Sequence, residues 1–106
     1  MDEKSVKNYL IQRLNFSSQS IKLLNIYVEN LLKYNKKFNL IGKSTESNIW
    51  PRHILDSAQI IPFIEFNNNT SIADFGSGAG LPGIVIAIFN QNPTFHVKLY
   101  EKSPLK

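Results

Sequence analysis

The sequence predicts an α/β protein: residues 1–66 are helical, and from residue 70 a strand–helix–strand unit begins an incomplete parallel sheet. Three observations carry this. Apolar residues recur every three or four positions up to Ile61, the spacing of helices with one buried face. Ser71-Ile-Ala-Asp-Phe75 lies between an Asn/Thr cluster and the glycines Gly76, Gly78, Gly80 and Gly83, the pattern of a buried strand entering a tight turn. Phe95, Val97 and Leu99 alternate with His96, Lys98 and Tyr100, the period of a second strand. Two strands joined through a helix make a right-handed βαβ crossover, which requires them to be parallel.

In chain order, Asp2 caps a first helix with Val6, Leu10 and Leu14 on one face and Tyr9 beside them. Ser17 or Ser18 caps a longer second helix, with the stripe Ile21, Leu24, Val28, Leu31 and Leu32 flanked by Tyr27 and Tyr34. That helix is expected to fray at Asn35-Lys36-Lys37, and Phe38, Leu40 and Ile41 to anchor the chain before Gly42 turns it. Ser44 or Thr45 caps a short helical turn running to Trp50. Pro51 then opens a helix to about Ile61, because its missing N–H has no partner in a first turn anyway. Ile54, Leu55, Ala58 and Ile61 form its apolar side, while Arg52, His53, Asp56 and Gln59 gather on the other. Pro62 and Asn67-Asn68-Asn69 close the helical part. After the glycines, Pro82 suits a first helical turn, and Ile84 to Phe89 is apolar nearly all round, hence expected to be buried. Asn90-Gln-Asn-Pro93 ends that helix, and the second strand runs from Thr94 to Tyr100 near the sheet edge.

With 106 residues the chain is one unit with a modest core. The absence of cysteine excludes disulfides and thiolate metal sites and points to a reducing compartment. The polar N-terminus is no signal peptide, and no apolar run reaches the ~20 residues of a membrane span. A cytoplasmic protein with no membrane and no metal partner is expected; His53 and His96 are too isolated to hold a metal. The net charge of +4 includes the clusters Lys33/Lys36/Lys37 and Lys98/Lys102/Lys106. It suits a polyanionic partner, and a solvated face explains it equally well.

A strand, a glycine turn and a helix N-terminus form a cradle whose N–H groups point at a ligand. Glu101 follows the second strand, 21 residues beyond Gly80, close to the spacing of ~20 at which an acid takes the hydroxyls of a ribose. Gly78-Ala-Gly80-Leu-Pro-Gly83 also satisfies the dinucleotide fingerprint, so an NAD- or FAD-binding module is one reading. Asp74 opposes it, since a carboxylate just before the turn repels a pyrophosphate. That acid better suits an ammonium or sulfonium, and S-adenosylmethionine carries both, with a ribose for Glu101 and a carboxylate for the N–H groups of the turn.

Three stretches, Tyr34-Asn-Lys-Lys-Phe-Asn-Leu40, Trp50-Pro-Arg-His-Ile-Leu-Asp-Ser57 and Asp74-Phe-Gly-Ser-Gly-Ala-Gly-Leu-Pro-Gly83, resemble the glucose-inhibited division protein B family in register over essentially the whole chain. The resemblance implies a Rossmann-like methyltransferase fold. It further implies methylation of ring nitrogen 7 of a guanine in 16S ribosomal RNA by S-adenosylmethionine, hence a small-ribosomal-subunit partner. It gives cofactor contacts to Gly76 and Leu81, a loop-shaping role to Gly78 and Gly80, and the ribose to Glu101. Arg52 and Asp56 form an i,i+4 pair with His53 between them, blandly an exposed ion pair. The resemblance makes Arg52, His53, Asp56 and Ser57 part of the wall between cofactor and RNA. No catalytic residue is assigned, because a ring nitrogen with a lone pair needs alignment rather than a strong base.

Members of that family continue for roughly another half-domain. A truncated or split version is therefore expected, with a second polypeptide completing the sheet, weak or absent S-adenosylmethionine binding and no methylation by this chain alone. A non-catalytic adaptor with a vestigial glycine turn is the remaining reading.

Overall fold

The computed structural model describes residues 1–75 and 79–100. Helix α1 spans Glu3–Leu14, and the Asp2 carboxylate accepts the Ser5 N–H at 2.8 Å. That bond holds the exposed carboxyl below the usual carboxylate range. Helix α2, Ser18–Phe38, is capped by Ser17, whose Oγ accepts from Ser20 N–H. A 3₁₀ turn (Lys43–Asn48) leads to a π turn (Trp50–Leu55), which runs directly into the short α3 (Asp56–Ala58) and a second 3₁₀ turn, Ile61–Phe63. Strand β1 is Ser71–Phe75, helix α4 is Gly83–Phe89 and strand β2 is His96–Tyr100. The strands pair in parallel, from Ser71 opposite His96 to Phe75 opposite Tyr100. Helices followed by a βαβ unit are the fold class that the sequence predicts.

The core lies between the helices. Val6 and Leu10 of α1, Leu24, Val28 and Leu31 of α2, Trp50, Ile54 and Ala58 of the π turn and α3, and Val85 and Ile86 of α4 are all buried in one cluster. Among the described residues, two side-chain bonds tie α2 to the βαβ unit: Ser20 Oγ–H donates to the Ile88 carbonyl at 2.9 Å, and Tyr27 O–H to the Ala79 carbonyl at 2.7 Å. Phe16 packs against Phe89 with ring centroids 4.9 Å apart.

Several sequence expectations are corrected. Helix α2 does not fray at Asn35, which is fully buried. Its amide donates to Glu46 Oε1 at 2.6 Å, and its oxygen accepts the Ile41 N–H at 2.7 Å, so the polar residue that reads as a breaker pins the helix end. Phe38 therefore stays on the helix surface and exposed, and Ile41 alone of the expected anchors is buried. Neither Ser44 nor Thr45 caps the turn after Gly42; Gly42 holds that position, and Thr45 Oγ–H donates back to its carbonyl at 2.7 Å. The helix expected from Pro51 to Ile61 instead starts at Trp50 as a π turn and ends at Ala58. The two faces read from the sequence survive in outline: Ile54, Ala58 and Ile61 are buried and Arg52, Asp56 and Gln59 exposed, while Leu55 and His53 are both half-buried.

Among the described side chains of strand β1, none is fully buried as the core-strand reading expects. Ser71 and Ala73 are exposed and Ile72 is half-buried, because among the described residues the sheet has only two strands. In α4, Val85 and Ile86 are buried, while Ala87 is exposed. Strand β2 begins at His96 rather than Thr94, because Thr94 is held in the preceding turn by Asn92 Oδ1 and Asn68 Oδ1.

Candidate functional site

The glycine turn re-enters the described structure at Ala79, so Gly76 and Gly78 lie outside the described residues, as does Glu101. Gly80 is buried and takes φ +90°, where a side chain would be strained, and an added Cβ would land on the Ile84 side chain. Leu81 and Pro82 follow, both half-buried, and Pro82 stands at the N-cap of α4. At Gly83 a Cβ would meet Leu99 of β2 and the Asp74 carboxylate, so glycine there lets α4 sit close against the sheet.

The start of α4 does not present the open row of N–H groups that the sequence predicts. Asp74 Oδ2 accepts the Gly83 N–H at 2.9 Å, the Gly80 carbonyl accepts from Ile84 N–H at 2.7 Å, and the Pro82 carbonyl from Ile86 N–H at 3.2 Å. A carboxylate is favoured at a helix N-terminus by the positive end of the helix dipole and by unpaired donors there. Asp74 is thus engaged by its own chain, a role not visible in the motif alone. On the other side of the turn, burial raises the Tyr27 hydroxyl well above the usual tyrosine range, so it remains a donor to Ala79 across the working pH range.

Arg52, His53, Asp56 and Ser57 converge with Leu81 and Pro82 around a cleft of about 260 Å³. The π turn and α3 supply the first four, and the glycine turn the other two. Of the predicted residues, Arg52, His53, Asp56 and Leu81 are therefore brought together, and Gly80 shapes the backbone immediately before Leu81. The Arg52–Asp56 ion pair that their spacing allows, the bland reading of these residues, is not formed; among the described residues the one ion pair is Lys7 to Glu3, at 2.7 Å. Arg52 and Asp56 straddle the junction of the π turn with α3, and the wider i→i+5 turn changes the helical phase that an α-helical pair assumes. Both side chains remain exposed at the cleft.

His53 is instead held by Thr45, a residue that motif reasoning missed, with Nε2 and Oγ1 2.9 Å apart. The threonine hydroxyl has one hydrogen, already donated to the Gly42 carbonyl, so His53 Nε2–H is the donor and Nδ1 keeps its lone pair. Burial, with the Arg52 charge adding to it, lowers the His53 pKa below the usual histidine value against a smaller opposing effect of Asp56. The neutral ring is thus the favoured form in the folded chain. No sequence signal marks Thr45, because its partner sits eight residues on, across the turn that brings the two together.

The family model described as "GidB: rRNA small subunit methyltransferase G" matches residues 20–104, which contain the cleft and the glycine turn. The chain belongs to that family. It is similar to the ribosomal RNA small subunit methyltransferase G of Pelagibacter ubique, with 43% identity over 95% of this chain and 49% of the relative. The protein of the same name from Magnetococcus marinus is 42% identical over 76% of this chain and 35% of the relative. That from Rickettsia rickettsii is 48% identical over 64% and 35%. The chain spans about half the length, or less, of these relatives. Within the GidB family the two-stranded parallel unit takes its place as part of a Rossmann-like methyltransferase fold.

Proposed function

We propose that this chain carries the helical part and the glycine-turn side of an S-adenosylmethionine-dependent methyltransferase acting on ring nitrogen 7 of a guanine in 16S ribosomal RNA. The observation that carries the reading is the cleft in which Arg52, His53, Asp56 and Ser57 meet Leu81 and Pro82, in a chain that belongs to the GidB family.

The residues fit such a cofactor. Gly80, at φ +90°, shapes the turn immediately before Leu81, which offers an apolar contact at the cleft. Asp56 brings to the cleft a carboxylate with no ion-pair partner among the described residues, suited to an ammonium or sulfonium. Gly76, Gly78 and Glu101 complete the proposed contacts, Glu101 taking the ribose hydroxyls. Bound there, S-adenosylmethionine supplies an electrophilic methyl on sulfur. The chain's own task is alignment, which a ring nitrogen with an available lone pair needs more than a base. Arg52 offers a fixed positive charge for phosphate, and neutral His53 offers an acceptor at Nδ1 toward a polar edge. A dinucleotide fits less well: the Gly83 N–H that would meet a pyrophosphate is taken by Asp74, whose charge opposes that ligand. Ribosomal RNA in the small subunit as partner and a cytoplasmic location follow from the same reading.

Backbone-amide NMR of the chain titrated with S-adenosylmethionine to millimolar concentration tests it, since weak binding still moves resonances. Shifts at Gly80, Leu81 and Ser57 are expected, with none from NAD. Shifts from NAD alone overturn the reading, and shifts from neither ligand overturn its cofactor part.

A further inference from the structure

The second half of α2 carries a surface that the cleft does not use. Tyr27, Asn30, Tyr34, Phe38 and Leu40 line an open groove of about 280 Å³, and Ala79 of the glycine turn closes one side. Tyr34 is 51% and Phe38 36% exposed, and the two stack with centroids 6.5 Å apart at 27°. Each carries a cation: Lys33 Nζ lies 6.0 Å from the Tyr34 centroid, and Lys37 Nζ 5.5 Å from that of Phe38. Lys33, Lys36 and Lys37 are all exposed, and none is ion-paired among the described residues.

We infer that this groove takes an unpaired base of single-stranded RNA, stacked on Tyr34 and Phe38, with the flanking phosphates on Lys33, Lys36 and Lys37. Aromatic faces interleaved with basic side chains are what a splayed base and its backbone require, since every base has a π-face and every nucleotide a negative charge. A duplex hides its base faces and offers only its phosphates. A second copy of this chain fits poorly, because a two-fold contact would set the same three lysines against each other. The inference rests on the proposed RNA substrate and deepens it: Ala79 borders this groove while Leu81 and Pro82 border the cleft, so one short segment links the two.

Fluorescence anisotropy with a labelled, unstructured RNA oligomer, repeated across a salt series, tests the inference without cofactor. Tyr34→Leu and Phe38→Leu should each weaken binding about fivefold or more, while Tyr34→Trp keeps it. Lys33→Gln with Lys37→Gln should reduce the slope of log affinity against log salt by about 1.4, roughly 0.7 per phosphate contact on a single strand. Circular dichroism confirms that each variant folds. Binding unchanged by the ring substitutions, no binding at low salt, preference for a duplex, or sedimentation showing a dimer that Tyr34→Asp dissolves would each overturn it. Cofactor shifts at Gly80 and Leu81 without RNA binding sink this inference alone. RNA binding at the groove without cofactor shifts sinks only the cofactor part of the proposed function.

Discussion

His53 shows how a single side chain is tuned at the cleft. Thr45 fixes its Nε2–H, and burial, with Arg52 beside it, lowers its pKa. The unfolded chain then binds a proton that the folded chain resists, so the sign of the linkage is set. This contribution is fully present above the ordinary histidine value of 6.5 and is lost as pH falls below it, until the lower folded value is passed. Urea midpoints measured between about pH 5 and pH 7.5 should therefore fall on acidification more steeply for the native chain than for His53→Gln, which keeps a donor for Thr45 but does not titrate. Parallel curves would refute this. Thr45→Val should remove the bond that fixes the ring, moving its imidazole nitrogen shifts toward the tautomer average of a free neutral histidine. Gly80 is the second residue whose chemistry is local. An alanine there must hold φ +90° and displace Ile84, so Gly80→Ala should lose about 1–3 kcal/mol and the cofactor-induced shifts together. Retention of either would count against the geometry of the turn.

Helix α2 organises the rest through polar side chains set along its length. Ser20 reaches Ile88, Tyr27 reaches Ala79, and Asn35 holds both Glu46 and the Ile41 N–H. Asn35→Ala leaves that N–H without a partner in a buried place, so a loss of about 1–3 kcal/mol and an unwound last turn of α2 are expected from denaturation and amide shifts. Asn35→Asp should be worse, because it sets a carboxylate against that of Glu46. An aspartate variant as stable as the native chain would refute the bond pattern. The same residues explain what was legible in the sequence. Caps at Asp2 and Ser17 and the stripe Leu24, Val28 and Leu31 depend on neighbours within one or two turns, so spacing reveals them. Asn35 does not, because an asparagine before two lysines reads as a breaker until Glu46 and Ile41 fold back onto it. The cleft divides similarly. The polar face at Arg52, His53 and Asp56 was visible as helical spacing, whereas the π turn, Thr45 and the internal engagement of Asp74 arise from contacts between segments.

At the scale of the whole molecule, burial is uneven. Among the described side chains, those that reach zero exposure sit on α1, α2, the π turn, α3 and α4, and none of them sits on either strand. Strand β2 has His96, Lys98, Leu99 and Tyr100 exposed, and β1 has Ser71 and Ala73 exposed. A parallel pair gains its stability mainly from cover on its faces, and here α4 packs through Gly83 against Leu99 and Asp74. Local opening follows the elements with least buried apolar surface. Amide hydrogen exchange should therefore separate two populations. Amides of Leu24, Val28 and Leu31 should exchange only through global unfolding, with protection that falls by the full denaturant slope. Amides of the β1–β2 ladder should exchange through a smaller opening that depends weakly on denaturant, because little surface is exposed when the strands part. Tyr27→Phe sharpens the distinction: removing its bond to Ala79 should cost about 0.5–1.5 kcal/mol and speed exchange at the glycine turn and ladder more than in α1. Ladder and helix amides exchanging with one common free energy in both proteins would mean that the sheet is as firmly held as the helical core.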